Sequence, residues 1–236
     1  MEKVKDIHRL IDYIRDPKDS FEEYLEKAKK YNFRCIFANR FQFEQATKYL
    51  EGTDVIVAGY CDFPIGEECV EAQLADFEDQ YRIGFREIEG ILNQYAVENR
   101  LYDYLERQMM ELSIFCRDRN INTKIILETC KMDNECLSKI CEIALKCKPT
   151  CLKTSTGKGA KGAELDKVKL MKSILKDEVQ IKAAGGIHTY EEACAFVNAG
   201  AEVLGSSAGI QIFNQEHNIV LWEDILWPVT EKWHLD

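Results

Sequence analysis

Short apolar blocks alternate along this chain with stretches in which apolar residues return at helical spacing. The blocks Ile7 to Ile14, Phe33 to Ala38, Thr53 to Tyr60 and Gly84 to Leu92 read as strands, the first weakly, with Asp12 near its end. Thr123 to Glu128, Pro149 to Lys153, Val179 to Lys182 and Glu202 to Leu204 continue the series. Helical patterns lie between them. Ser20-Phe21-Glu22-Glu23 and Thr189-Tyr190-Glu191-Glu192 have the form of capping boxes, in which a hydroxyl and a glutamate satisfy the first free N–H groups of a helix. The first helix then runs to about Tyr31, and Gly200 stops the second. Other helices span about Phe43 to Leu50, a stretch after Asp62-Phe63-Pro64-Ile65-Gly66 to about Arg82, a longer stretch through about Cys116, near Asp133 to about Cys147 and about Glu164 to Leu175. Gly205-Ser206-Ser207-Ala208-Gly209 opens a last one.

Strand–helix units in unbroken succession indicate a parallel sheet, because each parallel return needs a crossover. The count and length fit an α/β fold of the (β/α)8 TIM barrel type, formed as a single domain over residues 1–236. An open doubly wound sheet fits the same alternation. In a barrel the reactive groups belong where strands feed the following loops, and phosphate commonly binds after the seventh and eighth strands.

Composition narrows the class. No segment approaches the ~18 uninterrupted apolar residues of a membrane span, and Met1-Glu2-Lys3-Val4-Lys5-Asp6 has charges where a signal peptide would be apolar. Both point to a cytoplasmic protein with no membrane partner. A formal charge of −10 argues against nucleic acid. The 10 cysteines contain no CxxC pair and read as reduced core thiols; Cys35 and Cys61, near strand ends, could alternatively be reactive. His8, His188, His217 and His234 show no ligand spacing, so no metal is expected.

Two lysines break the apolar rule. Lys153 ends a buried strand just before Thr154-Ser155-Thr156-Gly157-Lys158, and Lys182 does so one unit later, before Ala183-Ala184-Gly185-Gly186. A buried ammonium loses hydration and needs a compensating role. Two such groups in one barrel mouth would disfavour each other's charge, leaving one amine near neutrality and nucleophilic toward a carbonyl. The resulting iminium is an electron sink that permits C–C cleavage one atom away. The alternative is that each lysine pairs with a carboxylate such as Glu128; Asp62 and Glu128 also read as rim carboxylates that orient the lysines or a water.

Leu152-Lys153-Thr154-Ser155-Thr156-Gly157, followed by Ile181-Lys182-Ala183-Ala184-Gly185-Gly186-Ile187, resembles the deoxyribose-phosphate aldolase family, whose signature is a KTSTG segment and then K-x-x-GG. Cys35 to Asn39, Phe63 to Gly66, Glu87 to Glu89, Lys124 to Thr129 and Gly205 to Ser207 match further pieces in family order, over about residues 8–210. The resemblance implies a (β/α)8 barrel and a Schiff-base aldolase without metal or other cofactor. Such an enzyme reversibly cleaves 2-deoxy-D-ribose 5-phosphate to acetaldehyde and D-glyceraldehyde 3-phosphate. Its partners are therefore a small phosphorylated sugar and an aldehyde.

By the resemblance, Lys153 forms the Schiff base, Lys182 lowers its pKa and moves protons, and Glu89 stands where the family has an aspartate. Gly157, Lys158, Gly185, Gly186, Gly205 and Ser207 are expected to hold the phosphate, with Asp12, Thr154 and Ser206 among the substrate-binding residues. Three departures are visible: Glu89 for aspartate, Ile14 for a threonine and Ala208 for a second hydroxyl. They leave open a divergent lysine aldolase acting on another aldehyde, and a weakened phosphosugar-binding protein. Residues 211–236 have no match; Trp222, Trp227 and Trp233 there read as packing or homodimer contacts rather than substrate contacts.

Overall fold

The computed structural model describes residues 2–219. Eight parallel strands close into a barrel in sequence order. They are β1 (Ile11–Tyr13), β2 (Cys35–Phe37), β3 (Ile56–Cys61), β4 (Glu87–Ile91), β5 (Asn122–Ile126), β6 (Cys151–Lys153), β7 (Gln180–Ala184) and β8 (Val203–Ser206). Closure through β1 and β8, with Asp12 beside Gly205, removes both sheet edges and rules out the open doubly wound alternative. The helices, among the described residues, are α1 (Phe21–Lys30), α2 (Phe43–Tyr49), α3 (Val70–Ile83), α4 (Gln94–Glu98), α5 (Tyr102–Asp118), α6 (Asn134–Cys147), α7 (Leu165–Leu175), α8 (Tyr190–Asn198) and α9 (Gly209–Glu216). None is long and apolar enough to cross a membrane.

Both capping boxes form: Ser20 and Glu23 begin α1, and Thr189 and Glu192 begin α8. The expected first strand is shorter than its apolar block. Ile7–Leu10 coil into a 3-10 turn, where the Ile7 N–H donates to the Glu216 carboxylate (3.2 Å) at the end of α9, so only Ile11–Tyr13 remain extended. The longer helix after β4 is two, α4 and α5, separated where Arg100 takes a left-handed conformation (φ 53°). Gly205 and Ser206 belong to β8 and not to the loop after it.

Residues alternate across the sheet. Ile36, Ile88, Ile125, Leu152, Ile181 and Leu204 are wholly buried in the core that also holds Phe77, Leu112, Ile140, Met171 and Ile212 from the helices. All 10 cysteines are free, and eight of them are buried, as expected of core thiols. Gln73 of α3 and Gln108 of α5 both donate to the Ile91 carbonyl (2.9 and 3.2 Å), and Gln108 donates to Gln73. These amides satisfy a strand-end carbonyl that would otherwise be buried unpaired, and they fix the end of β4.

Phe77 packs on the bare backbone of Gly90 in β4, where an added Cβ would lie 3.1 Å from the ring. The strand that carries Glu89 is therefore set by this contact. Phe77→Ala should lower stability by about 3–5 kcal/mol, the range for a buried phenylalanine truncation. Equilibrium urea unfolding checks it through a lower midpoint at unchanged slope.

Candidate active site

The strand register brings the charged residues together. Lys153 of β6 lies directly beside Lys182 of β7, and Glu89 of β4 beside Lys124 of β5. Alternation then sends these side chains into the barrel, where all four are almost fully buried. Glu89 links the two mouth lysines: Oε2 accepts from Lys153 Nζ and Oε1 from Lys182 Nζ, each at 2.6 Å. Lys182 also donates to Asp12 Oδ2 (2.5 Å). Beneath them Lys124 Nζ contacts Asp12 Oδ2 (2.5 Å) and Glu87, and Arg34 donates to Asp12 Oδ1 (2.6 Å) and Glu87 Oε1 (2.5 Å).

Gly205 makes room for this cluster. A Cβ there would meet Lys182 Cε at 3.1 Å and Ala184 Cβ at 2.8 Å. The Phe37 ring faces the ammonium groups, with Lys182 Nζ 4.8 Å and Lys153 Nζ 5.8 Å from its centroid; Phe63 lies 5.6 Å from Lys153.

The surroundings set the protonation states. Burial pushes the Lys153 amine down to about 8, helped by the positive charges of Lys182 and Lys124 and opposed by Glu89. The leading cause is thus loss of water, with the neighbouring lysine second to it in lowering the amine. For Glu89, burial would raise the carboxyl, but Lys153, Lys182 and Lys124 outweigh it and hold it down at about 2. Burial likewise works against the Asp12 carboxylate, and Lys124, Lys182 and Arg34 keep it well below the usual range. Asp12, Cys35 and Glu87 place ligand-type atoms within 4.8 Å of one another. Both carboxylates are already engaged by cations and burial pushes the thiol up, so this group is an ion-pair network.

A cavity of about 410 Å³ opens on Lys153 and Glu89, lined also by Ile14, Arg15, Phe37, Tyr60, Phe63 and Lys158. Among the residues expected to hold phosphate, Lys158 is the one that lines it. Gly157 and Lys158 follow β6, and Gly185 and Gly186 follow β7. These two loops touch through the Ala163 N–H, which donates to the carbonyls of Ala184 and Gly185 (both 3.1 Å). Thr154 is buried, its hydroxyl accepting from the Ala184 N–H (3.1 Å). Ser206 donates to the Ile187 carbonyl (2.6 Å) and accepts from the Ala208 N–H (3.0 Å), which commits its hydroxyl to the turn. Ser207 faces a separate cavity with Tyr13 and Asp16.

Glu128 does not pair with either lysine. It accepts from the Thr156 N–H (3.1 Å) and hydroxyl (2.5 Å) and so shapes the loop after β6. Asp62 caps the loop after β3 by accepting from the Glu67 and Glu68 N–H groups (3.1 and 2.9 Å). Cys35 and Cys61 are buried thiols, both pushed up by burial, which is the opposite of activation. Four participants were given no role in the sequence reading: Arg34, and Phe37, Glu87 and Lys124, which it noted only within segments that match the family. Charges at positions 87 and 124 of otherwise apolar strands were the available signal. Trp222, Trp227, Trp233 and His234 lie outside the described residues.

The chain is similar to known proteins in sequence and in fold. A deoxyribose-phosphate aldolase from Lactobacillus acidophilus is 37% identical over 214 residues, covering 89% of this chain and 90% of the relative. One from Aciduliprofundum boonei is 33% identical, over 83% of this chain and 88% of that one. The chain belongs to the deoxyribose-phosphate aldolase family. No family model matches it. A solved structure named QR15, an aldolase, superposes with a TM-score of 0.82 at 27% identity, covering 92% of this chain and all of that one. A tetrameric deoxyribose phosphate aldolase from Aeropyrum pernix has the same fold, with a TM-score of 0.80 at 23% identity over 91% of this chain and 92% of the other.

Removal of the Glu89 charge would leave the Lys153 ammonium without its carboxylate partner, while the positive charges of Lys182 and Lys124 remain nearby. Glu89→Gln should therefore move the midpoint of Lys153 modification below its position near 8, because the ammonium form loses its anion. The pH dependence of Lys153 labelling by an amine reagent, followed by peptide mass analysis, measures this shift.

Proposed function

We propose that this protein cleaves and forms 2-deoxy-D-ribose 5-phosphate through an iminium on Lys153. The observation that carries the proposal is an almost fully buried amine at the floor of the cavity, hydrogen-bonded to Glu89 at 2.6 Å, and its burial pushes it down to about 8. Near that pH a substantial share of Lys153 is the free amine, and only the free amine has a lone pair for the aldehyde carbon. Addition gives a carbinolamine, and loss of water gives the iminium. As the C2–C3 bond breaks, its electrons move to the iminium nitrogen and the C3 hydroxyl loses its proton, releasing glyceraldehyde 3-phosphate. The enamine left on Lys153 then takes a proton at C2, and water hydrolyses the iminium to acetaldehyde and the free amine.

Lys182 and Glu89 are the groups beside Lys153 that can pass these protons. Their carboxylate–ammonium contact gives a protonated donor and an ionised acceptor in the same place. Glu89 keeps the carboxylate of the family's aspartate, and its two oxygens reach one lysine each. At the mouth Lys158, with the backbone N–H groups of Gly157, Gly185 and Gly186, is assigned to the phosphate. We take the chain as a single-domain enzyme that pairs as a homodimer, a state that light scattering checks.

Borohydride reduction in the presence of 2-deoxyribose 5-phosphate should leave a stable adduct on Lys153 that peptide mass analysis locates. Absence of an adduct on Lys153 would overturn the proposal. Lys158→Ala should reduce kcat/KM for the phosphorylated sugar roughly tenfold to a hundredfold, the scale of one charged hydrogen bond. Cleavage of unphosphorylated 2-deoxyribose should be nearly unaffected, and steady-state kinetics with the two sugars separates the cases.

A further inference from the structure

The barrel interior holds more positive than negative groups. Among the described residues its carboxylates are Asp12, Glu87 and Glu89, and its cations are Arg34, Lys124, Lys153 and Lys182; the buried Glu128 is bound by Thr156 in the loop after β6 and forms no ion pair with them. The other ionisable groups within the network are neutral: burial raises the Cys35 and Cys151 thiols and the Tyr24 phenol, whose hydroxyl donates to the Tyr13 carbonyl. The remaining charges facing Lys153, Arg15 and Lys158, stand at the open cavity mouth, where water screens them.

Inside the closed barrel, one cation too many is costly unless it gives up its proton. Partner counts show where that is easiest. Arg34 is gripped by Asp12 and Glu87, Lys124 by Asp12 and Glu87, and Lys182 by Asp12 and Glu89. Lys153 ends the chain of contacts, with Glu89 as its one carboxylate partner among the described residues. A guanidinium stays charged in proteins, so the proton leaves from Lys153.

We propose that Arg34, which lies beneath the reacting groups and does not line the cavity, is the positioning residue that makes Lys153 the lysine that gives up its proton, by supplying the cation in excess of the three carboxylates. The idea rests on Lys153 being the nucleophile. Arg34 is 20% exposed and enters just before β2, at the end of the barrel where its strands begin. Its charge reaches Lys153 along the contacts Arg34–Asp12–Lys182–Glu89–Lys153. The same residue could serve packing alone, and charge-conserving and charge-removing variants tell the two roles apart.

The test is the pH dependence of Lys153 reductive alkylation by acetaldehyde and cyanoborohydride, followed by peptide mass analysis. Removing the excess cation in Arg34→Gln should raise the midpoint by up to about one pH unit, the scale on which one buried charge acts. Arg34→Lys keeps the charge and should stay near the wild type. Glu87→Gln increases the excess and should lower the midpoint, and the Arg34→Gln/Glu87→Gln double variant should return it. The Glu87→Gln arm stands even if Arg34→Gln fails to fold. Equal midpoints in Arg34→Gln and wild type, equal displacement in Arg34→Lys, or a rise in Glu87→Gln would overturn the inference. Wild-type protein that shows no alkylation at Lys153 would instead overturn the Lys153 assignment, and this inference with it.

Discussion

Lys182 Nζ lies 2.5 Å from Asp12 Oδ2 and 2.6 Å from Glu89 Oε1, with no part of its side chain open to solvent. A charge in that position is tolerable only if its partners are also charged and held in place. The same is true of each partner in turn, down through Lys124 and Glu87 to Arg34. The inside of this barrel is therefore a column of alternating charge where layers of branched aliphatic side chains are more usual. Closure of the sheet is what holds it, because β1, β4, β5, β6 and β7 each contribute a member. An open sheet would let water between them and release Lys153 toward its ordinary behaviour.

Stability and reactivity are divided between the two faces of the same strands. The outward residues, such as Ile88, Ile125, Leu152 and Ile181, bury apolar surface against the helices, and that burial is the favourable term large enough to carry the fold. The inward residues add desolvated charge, which on balance costs stability. What they supply is a specific electrostatic setting in which one amine is easier to deprotonate than the others. Supporting contacts serve that setting at a distance: the Gln73–Gln108 pair fixes the end of β4, Phe77 seats it through Gly90, and Gly205 clears the space for Lys182.

The loops at the mouth show the same economy of roles. Thr154 and Ser206 stand in segments that match the family's signature, yet their hydroxyls are bonded to the backbone of the neighbouring strand or turn. Glu128, which looked like a partner for the lysines, instead holds the loop that presents Lys158. In both cases a polar residue close in sequence to the chemistry is satisfied locally. A short side chain at a strand end meets the backbone of the next turn before it can reach the cavity.

Much of this was legible in the residue pattern. The alternation of apolar blocks and helical stretches is imposed by the periods of strand and helix, so it pointed to a parallel barrel or an open doubly wound sheet and to the strands that carry Lys153 and Lys182, and the Ser/Thr-x-x-Glu spacing named both capping boxes. The pairing of these two lysines with each other's strands followed from their equal position in successive units. Tertiary structure alone decided which carboxylate meets which amine. Arg34, Asp12, Glu87, Glu89 and Lys124 are distant in the chain, and ring closure and register bring them within hydrogen-bonding distance. It also decided that lost hydration, ahead of repulsion between two lysines, lowers Lys153, because burial is a property of the closed barrel and no local sequence encodes it.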